Sequence, residues 1–208
     1  MAAIPVLSAL TLHEVAHGRV ALLFGDRTAQ VLGRLSLNPL KHIDPIGTVL
    51  LPAVLLLSGS PLLFGWAKPV PIDPRNFRHP RSDMAWVALA GPAANILMAC
   101  LWTLIGGFGA RGLFGTGIVA IWLVNMARFG LFANVLLAVF NMLPVPPLDG
   151  GRVLVGILPP TPAQWLSRLE PFGFWIVIGL LYLEQTHVIS VLSPIVGRLD
   201  ELIARLAP

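Results

Sequence analysis

The sequence predicts an all-α, multi-pass membrane protein: a helical bundle with a re-entrant or short β-containing segment after the first helix. Two observations carry this expectation. Of 208 residues, 56% are hydrophobic and only 12% are charged, against roughly 25% charged in ordinary soluble domains. So few charges cannot clothe a water-soluble surface of this size. The apolar residues also gather in runs near 20 residues, about the length that crosses a hydrocarbon core of ~30 Å.

The elements follow in order. Residues 2–24 are apolar and just long enough to span. Residues 25–45 are polar and rich in turn formers, and within them Val31-Leu32-Gly33-Arg34-Leu35-Ser36-Leu37 alternates roughly as a short strand would. Residues 46–66 are apolar but broken by Pro52 and by Ser58-Gly59-Ser60-Pro61. Each half is too short to cross, so a re-entrant hairpin is expected, with a single kinked span as the alternative. Residues 67–83 form a basic, proline-rich loop. Residues 84–106 and 118–143 are clear spans, separated by a glycine-rich loop. Pro144-Val145-Pro146-Pro147 then breaks the helix before it resumes. Residues 159–170 read as a polar connector, residues 172–192 as the last span, and the tail from Pro194 as a short amphipathic helix.

Net charge is +4, but a nucleic-acid partner is not expected. The basic residues sit in short loops between apolar segments, where Lys and Arg set membrane orientation. The single cysteine, Cys100, excludes a disulfide framework. The first segment does not read as a cleavable signal peptide, since no small-residue cleavage site follows it.

His13-Glu14-Val15-Ala16-His17 reads H-E-x-x-H. On a helix, residues four apart share a face, so both imidazoles can bind one zinc ion. Glu14 lies too far round the helix to join them and is placed to act as a general base toward water. Ionisable residues inside an apolar span are costly and usually functional, so three within five residues argue against chance. A proton relay is the competing account. A catalytic zinc site ordinarily takes a third protein ligand. Asp149 stands out, because it follows a span in a Pro- and Gly-rich break. His42, His79, His187, Asp44, Asp73, Asp83 and Glu184 lie in polar or boundary segments where solvated roles suffice.

With these blocks in view, the chain resembles the site-2 protease family of intramembrane zinc metalloproteases, in its compact prokaryotic branch. LHEVAHGRVALLFGD resembles the family's zinc helix. GRLSLNPLKHIDPIGT and FGWAKPVPIDPRNF resemble signatures of the branch. AGPAAN and FNMLPVPPLDGGRVL resemble its Gly-Pro-x-x-Asn and Asn…Pro…Leu-Asp-Gly elements. In the expected order, these cover most of residues 8–158. The resemblance implies that His13, His17 and Asp149 bind one Zn2+ and that Glu14 activates water. It further implies that Asn141 is catalytic, donating to a developing oxyanion or to substrate backbone, and that Asn95 supports the site or contacts substrate. Gly91 and Pro92 would permit close helix approach and a bend. The implied partners are a transmembrane protein substrate and membrane lipid. The whole chain would form one integral-membrane domain, with the catalytic core at about residues 4–158 and the last span and tail at 172–208. A longer lead-in before His13 would be expected of the family.

The zinc site also constrains topology. His17 and Asp149 must reach one metal, so with residues 46–66 re-entrant, segments 2–24 and 118–143 run in the same direction. Loop 25–83 with Arg152 and Arg168 then carries nine basic residues, against three on the opposite side. The positive-inside rule puts the larger set, and the site, toward the cytoplasm of a cell membrane. If residues 46–66 span instead, the charges balance. The alternatives to a protease are a metal or proton path and a non-cutting binding protein. A path would need polar residues at matching depths in several spans, and the spans other than the first are nearly free of charge.

Overall fold

The computed structural model describes residues 3–59, 65–112 and 117–185, together with residues 194, 197, 198 and 201. Helices make up the regular structure, and no strand occurs among the described residues. Helix α1 spans Ala3–Leu23. It stops at Gly25, whose φ of 106° only glycine adopts without strain. There the Gly25 N–H donates to Leu22 O and the Asp26 N–H to Ala21 O, the paired bonds of a Schellman ending.

A single turn, α2 (Thr28–Val31), follows. The alternating stretch after it is not the expected strand: it completes α2, turns at Leu32-Gly33 and continues as irregular chain. Its extended residues find no neighbouring strand, and a strand needs one. A 3-10 turn, Pro39–His42, leads to a π-helical turn, Pro45–Leu50, capped by Asp44, whose carboxylate accepts from the N–H groups of Ile46 and Gly47. Helix α3 (Leu51–Leu57) continues it. The chain then comes back to where it left. The Trp66 N–H donates to Gly47 O, and the Lys68 N–H donates to His42 O. Thr48 Oγ1 donates to Trp66 O at 2.7 Å.

Helix α4 (Pro80–Ala110) is the longest element, 31 residues or about 46 Å. Pro80 opens it, and Asp83 Oδ2 accepts from the N–H of the N-cap residue His79 at 2.8 Å, placing an acidic group in the first turn. It runs four residues beyond the expected span, through Gly107 and Gly109. Packing overrides glycine's weak helix propensity there, because Gly109 lies against Val124 and Leu123 of the next helix. That helix, α5 (Ile118–Asn141), crosses α4 closely. A Cβ at Gly130 would collide with the Trp102 ring.

After the proline run, α6 (Asp149–Ile157) begins at Asp149 itself. The expected polar connector at 159–170 is largely helical: α7 spans Pro160–Ser167, and a 3-10 turn joins it to α8 (Gly173–Gln185). Pro160 fixes φ at the first helical position, which favours that start. The end of the last expected span and most of the expected tail helix lie outside the described residues.

Among the described residues, three stretches are long and apolar enough to cross a membrane: Pro80–Ala110, Ile118–Asn141 and Pro160–Glu184. Helix α1, at 21 residues, is not among them, since His13, Glu14, His17 and Arg19 dilute its apolar character. Exposed leucine, isoleucine, valine and tryptophan side chains cover the outside. Thr11, His13, His17, Asn95, Asn134 and Asp149 are buried on α1, α4, α5 and α6, which pack together, whereas Asp26, His42 and Asp83 are buried in the loops and at the start of α4.

Candidate metal centre and cavity

His13 and His17 lie one turn apart on the buried face of α1 and are 6% and 7% exposed. Each ring is held by its Nδ1. His13 Nδ1–H donates to Asn95 Oδ1 at 2.6 Å, and His17 Nδ1–H donates to the Val87 carbonyl at 2.7 Å. With Nδ1 protonated, a neutral imidazole presents a lone pair at Nε2. The two Nε2 atoms face each other at 2.9 Å. Asp149, 7% exposed, brings its Oδ2 to 3.2 Å from His13 Nε2 and 3.4 Å from His17 Nε2. That oxygen is buried and has no hydrogen-bond partner among the described residues.

Three acceptor atoms thus converge with no proton to share. Buried polar groups rarely stay unpaired, and a cation satisfies all three. Ligands at 2.0–2.1 Å around a tetrahedral zinc lie about 3.3–3.4 Å apart, so separations of 2.9, 3.2 and 3.4 Å fit that ion. Imidazole and carboxylate donors suit it chemically.

The local sequence makes this approach possible. A Cβ at Gly91 would run into both imidazole rings, so only glycine lets α4 pass behind them. The turn after α5 folds back tightly, and Cβ atoms at Gly150 and Gly151 would strike the backbone of Met142, Leu143 and Val145–Pro146. Those glycines let α6 start against the turn, which places Asp149 over α1.

Glu14, the residue after His13, is not part of this cluster. Its Oε2 accepts the Val70 N–H at 2.7 Å. Glu14 and His13 line a cavity of about 400 Å³ with Leu10, Trp66, Leu137, Phe140, Asn141 and Phe174. Asn141 is therefore at the same cavity, where its Nδ2 donates back to Leu137 O at 2.9 Å. Trp66 and Phe174 meet edge to face, centroids 5.9 Å apart, joining the returning segment to α8. Asn95 does not line the cavity. It is fully buried behind His13, and its Nδ2 donates to Ala9 O at 3.2 Å and to Asn134 Oδ1 at 2.9 Å.

The structure therefore brings His13, His17 and Asp149 to one point, puts Glu14 and Asn141 at one cavity, and puts Asn95 behind the first imidazole. Two contributors escaped the sequence reading. Val70 acts through its backbone, which no side-chain pattern signals. Asn134 had a signal: a polar residue in an apolar span, seven before Asn141 and hence on the same helix face.

The profile of peptidase family M50 matches residues 111–180. The chain is 38% identical over 186 residues to YwhC of Bacillus subtilis, named as a zinc metalloprotease, covering 85% of this chain and 78% of YwhC. It is 34% identical over 175 residues to the Rip2 protein of Mycolicibacterium smegmatis, likewise named, covering 84% of this chain and 64% of that one. The Rip2 protein of Mycobacterium tuberculosis H37Rv is 30% identical over 180 residues, covering 86% and 65%. The chain thus spans a little under two thirds of either Rip2 protein. No solved structure matches it. The similarity to YwhC across most of both chains, together with the matching profile, shows that this chain belongs to peptidase family M50, the site-2 protease family of zinc metalloproteases.

Proposed function

We propose that the protein hydrolyses peptide bonds within or next to the transmembrane segments of membrane proteins, as in regulated intramembrane proteolysis, with His13, His17 and Asp149 holding one zinc ion. The observation that carries this reading is the convergence of His13 Nε2, His17 Nε2 and Asp149 Oδ2, the last a buried oxygen without a hydrogen-bond partner among the described residues. Zinc bound there supplies Lewis-acid and water-activating chemistry.

The chain's own groups do the rest. Glu14 takes a proton from the attacking water and returns it to the leaving amine. One of its carboxylate oxygens accepts the Val70 N–H, which leaves the other to take that proton. Asn141 sits at the same cavity. A side-chain rotation releases its amide from Leu137 O and offers an N–H to the carbonyl oxygen that becomes negative. The cavity wall is otherwise apolar, which suits a transmembrane segment whose helix has unwound to expose a peptide bond. Asn95 supports His13.

The same reading sets the topology. The re-entrant form of residues 46–66 is supported by the hydrogen bond from the Trp66 N–H to Gly47 O. The polar loops on either side are tied together as well: Arg34 Nη2 donates to Lys68 O and Pro69 O, and the Asp73 N–H donates to Asp26. These contacts favour the re-entrant form, in which α1 crosses in spite of its polar residues beside α4, α5 and the stretch ending in α8, with the basic loops and the site on the cytoplasmic side of the cell membrane. One domain carries all of this, with its core in residues 4–158.

Purified wild type and Glu14→Gln, incubated in detergent with a single-span test substrate and assayed for zinc, test the reading. Both should hold about one zinc, and only wild type should cut, with the variant slowed by ~10²–10⁴-fold. Equal cleavage by both, or zinc bound without cleavage of any transmembrane substrate in a panel, would contradict it.

A further inference from the structure

Helix α5 carries a group that the reading above does not use. Asn134 is fully buried, as is Asn95, and the two side chains are joined by one hydrogen bond of 2.9 Å. An asparagine in an apolar helix face is costly to bury unless its amide is satisfied, and here every link has a direction. Asn134 Nδ2 lies 2.8 Å from the Gly130 carbonyl, which can only accept. Asn134 must therefore point its NH2 at that carbonyl and its Oδ1 at Asn95. Asn95 then donates through Nδ2, one N–H to Asn134 Oδ1 and the other to the Ala9 carbonyl at 3.2 Å. Its Oδ1 is left facing His13 Nδ1 at 2.6 Å and can only accept there. His13 accordingly carries its proton on Nδ1 and its lone pair on Nε2, toward His17 and Asp149.

We infer that Asn134 is a positioning residue for the metal centre: from α5, through Asn95, it fixes the tautomer and ring orientation of His13. This rests on the zinc reading of the His13–His17–Asp149 cluster. Without Asn134, one buried N–H of Asn95 loses its acceptor, and only the longer bond to Ala9 O still opposes a flip of the amide. A flipped Asn95 presents NH2 to His13 Nδ1, which favours the tautomer with the proton on Nε2, the wrong atom for a ligand. Groups that hold a metal-ligating histidine by its second nitrogen typically contribute ~10–100-fold in metal affinity, and Asn134 acts one bond further out. The lower end of that range, about tenfold, is expected.

The test is zinc affinity by chelator competition on the full-length protein in detergent, comparing wild type, Asn134→Leu and Asn134→Asp. Leucine keeps the volume and removes the acceptor. Aspartic acid, neutral in this apolar setting, keeps the pattern, its carbonyl oxygen accepting from Asn95 and its hydroxyl donating to Gly130 O. Asn134→Leu should bind zinc about tenfold more weakly, and Asn134→Asp should bind like wild type. Wild-type affinity in Asn134→Leu, or an equal loss in both variants, overturns the inference. Should Asn134→Leu fail to fold, 15N signals of the histidines in zinc-free wild type decide: His13 protonated at Nδ1 agrees, and His13 protonated at Nε2 overturns it. A wild type that binds no zinc would instead sink the metal-centre reading, so the two failures are distinguishable.

Discussion

The Val70 N–H donates to Glu14 Oε2 across 2.7 Å, which ties the carboxylate beside the histidine pair to the chain returning from residues 46–66. Val70 lies between Pro69 and Pro71, so neither neighbour can donate in its place. Val70→Pro removes the one N–H. A hydrogen bond to a charged group contributes about 1.5–3 kcal/mol, so cleavage should slow by roughly 10–100-fold. Zinc content should stay at the wild-type level, because Glu14 lies outside the cluster. Steady-state cleavage beside metal analysis checks both halves.

Gly91 behaves as a spacer. A Cβ there meets His17 Nε2 and His13 Cε1, the ring edges that face Asp149. Gly91→Ala should push the imidazoles off their common point and weaken zinc binding by roughly 5- to 150-fold, matching the ~1–3 kcal/mol typical of an overpacked site. Gly107, which has open space around it, is the control: Gly107→Ala should leave zinc affinity unchanged.

Asp26 pins two loops together. Burial alone would raise its pKa, but hydrogen bonds from Thr28, from the Asp73 N–H and from Asn76 outweigh it and hold the carboxyl below its ordinary 3.8. A carboxyl with a lowered folded pKa stabilises the fold fully above its unfolded value. That contribution disappears as pH falls through the lower, folded one. Thermal unfolding in detergent should therefore show a loss of stability below about pH 4, and the loss should shrink in Asp26→Asn. At neutral pH Asp26→Ala should cost roughly 1–3 kcal/mol, since it orphans several donors.

The hydrogen bonds linking loop 25–45 to loop 67–79 bear on topology. Single cysteines replacing Arg34 and Arg78, in a background with Cys100 replaced, should react with an impermeant reagent from the same face of sealed vesicles. Reaction from opposite faces would show that residues 46–66 cross.

How much was legible beforehand follows from where the information resides. His13, Glu14 and His17 were readable because helical periodicity alone puts two imidazoles on one face. Asp149 was readable because an acid inside a Pro–Gly break has little bland use in a membrane protein. The hydrogen-bonded meeting of Gly47 with Trp66 is tertiary, and the sequence favours a hairpin over a span only through the short apolar halves and the charge balance. The strand expected at Val31–Leu37 rested on alternation alone, and alternation cannot supply the partner a strand needs. Glycines 107 and 109 suggest a loop, yet the helix runs through both, with Gly109 packed against α5. Asn134 carries no charge, and an amide in an apolar span gives a weaker signal of function than an ionisable group does.

The most direct measurement is zinc K-edge X-ray absorption on the purified, zinc-loaded protein, with Asp149→Ala beside it. About one zinc per chain, a first shell of two imidazoles and oxygen at ~2.0–2.1 Å, and a weakened site in the variant are expected. A sulfur shell from Cys100, a single imidazole, or an unchanged spectrum in Asp149→Ala would contradict it.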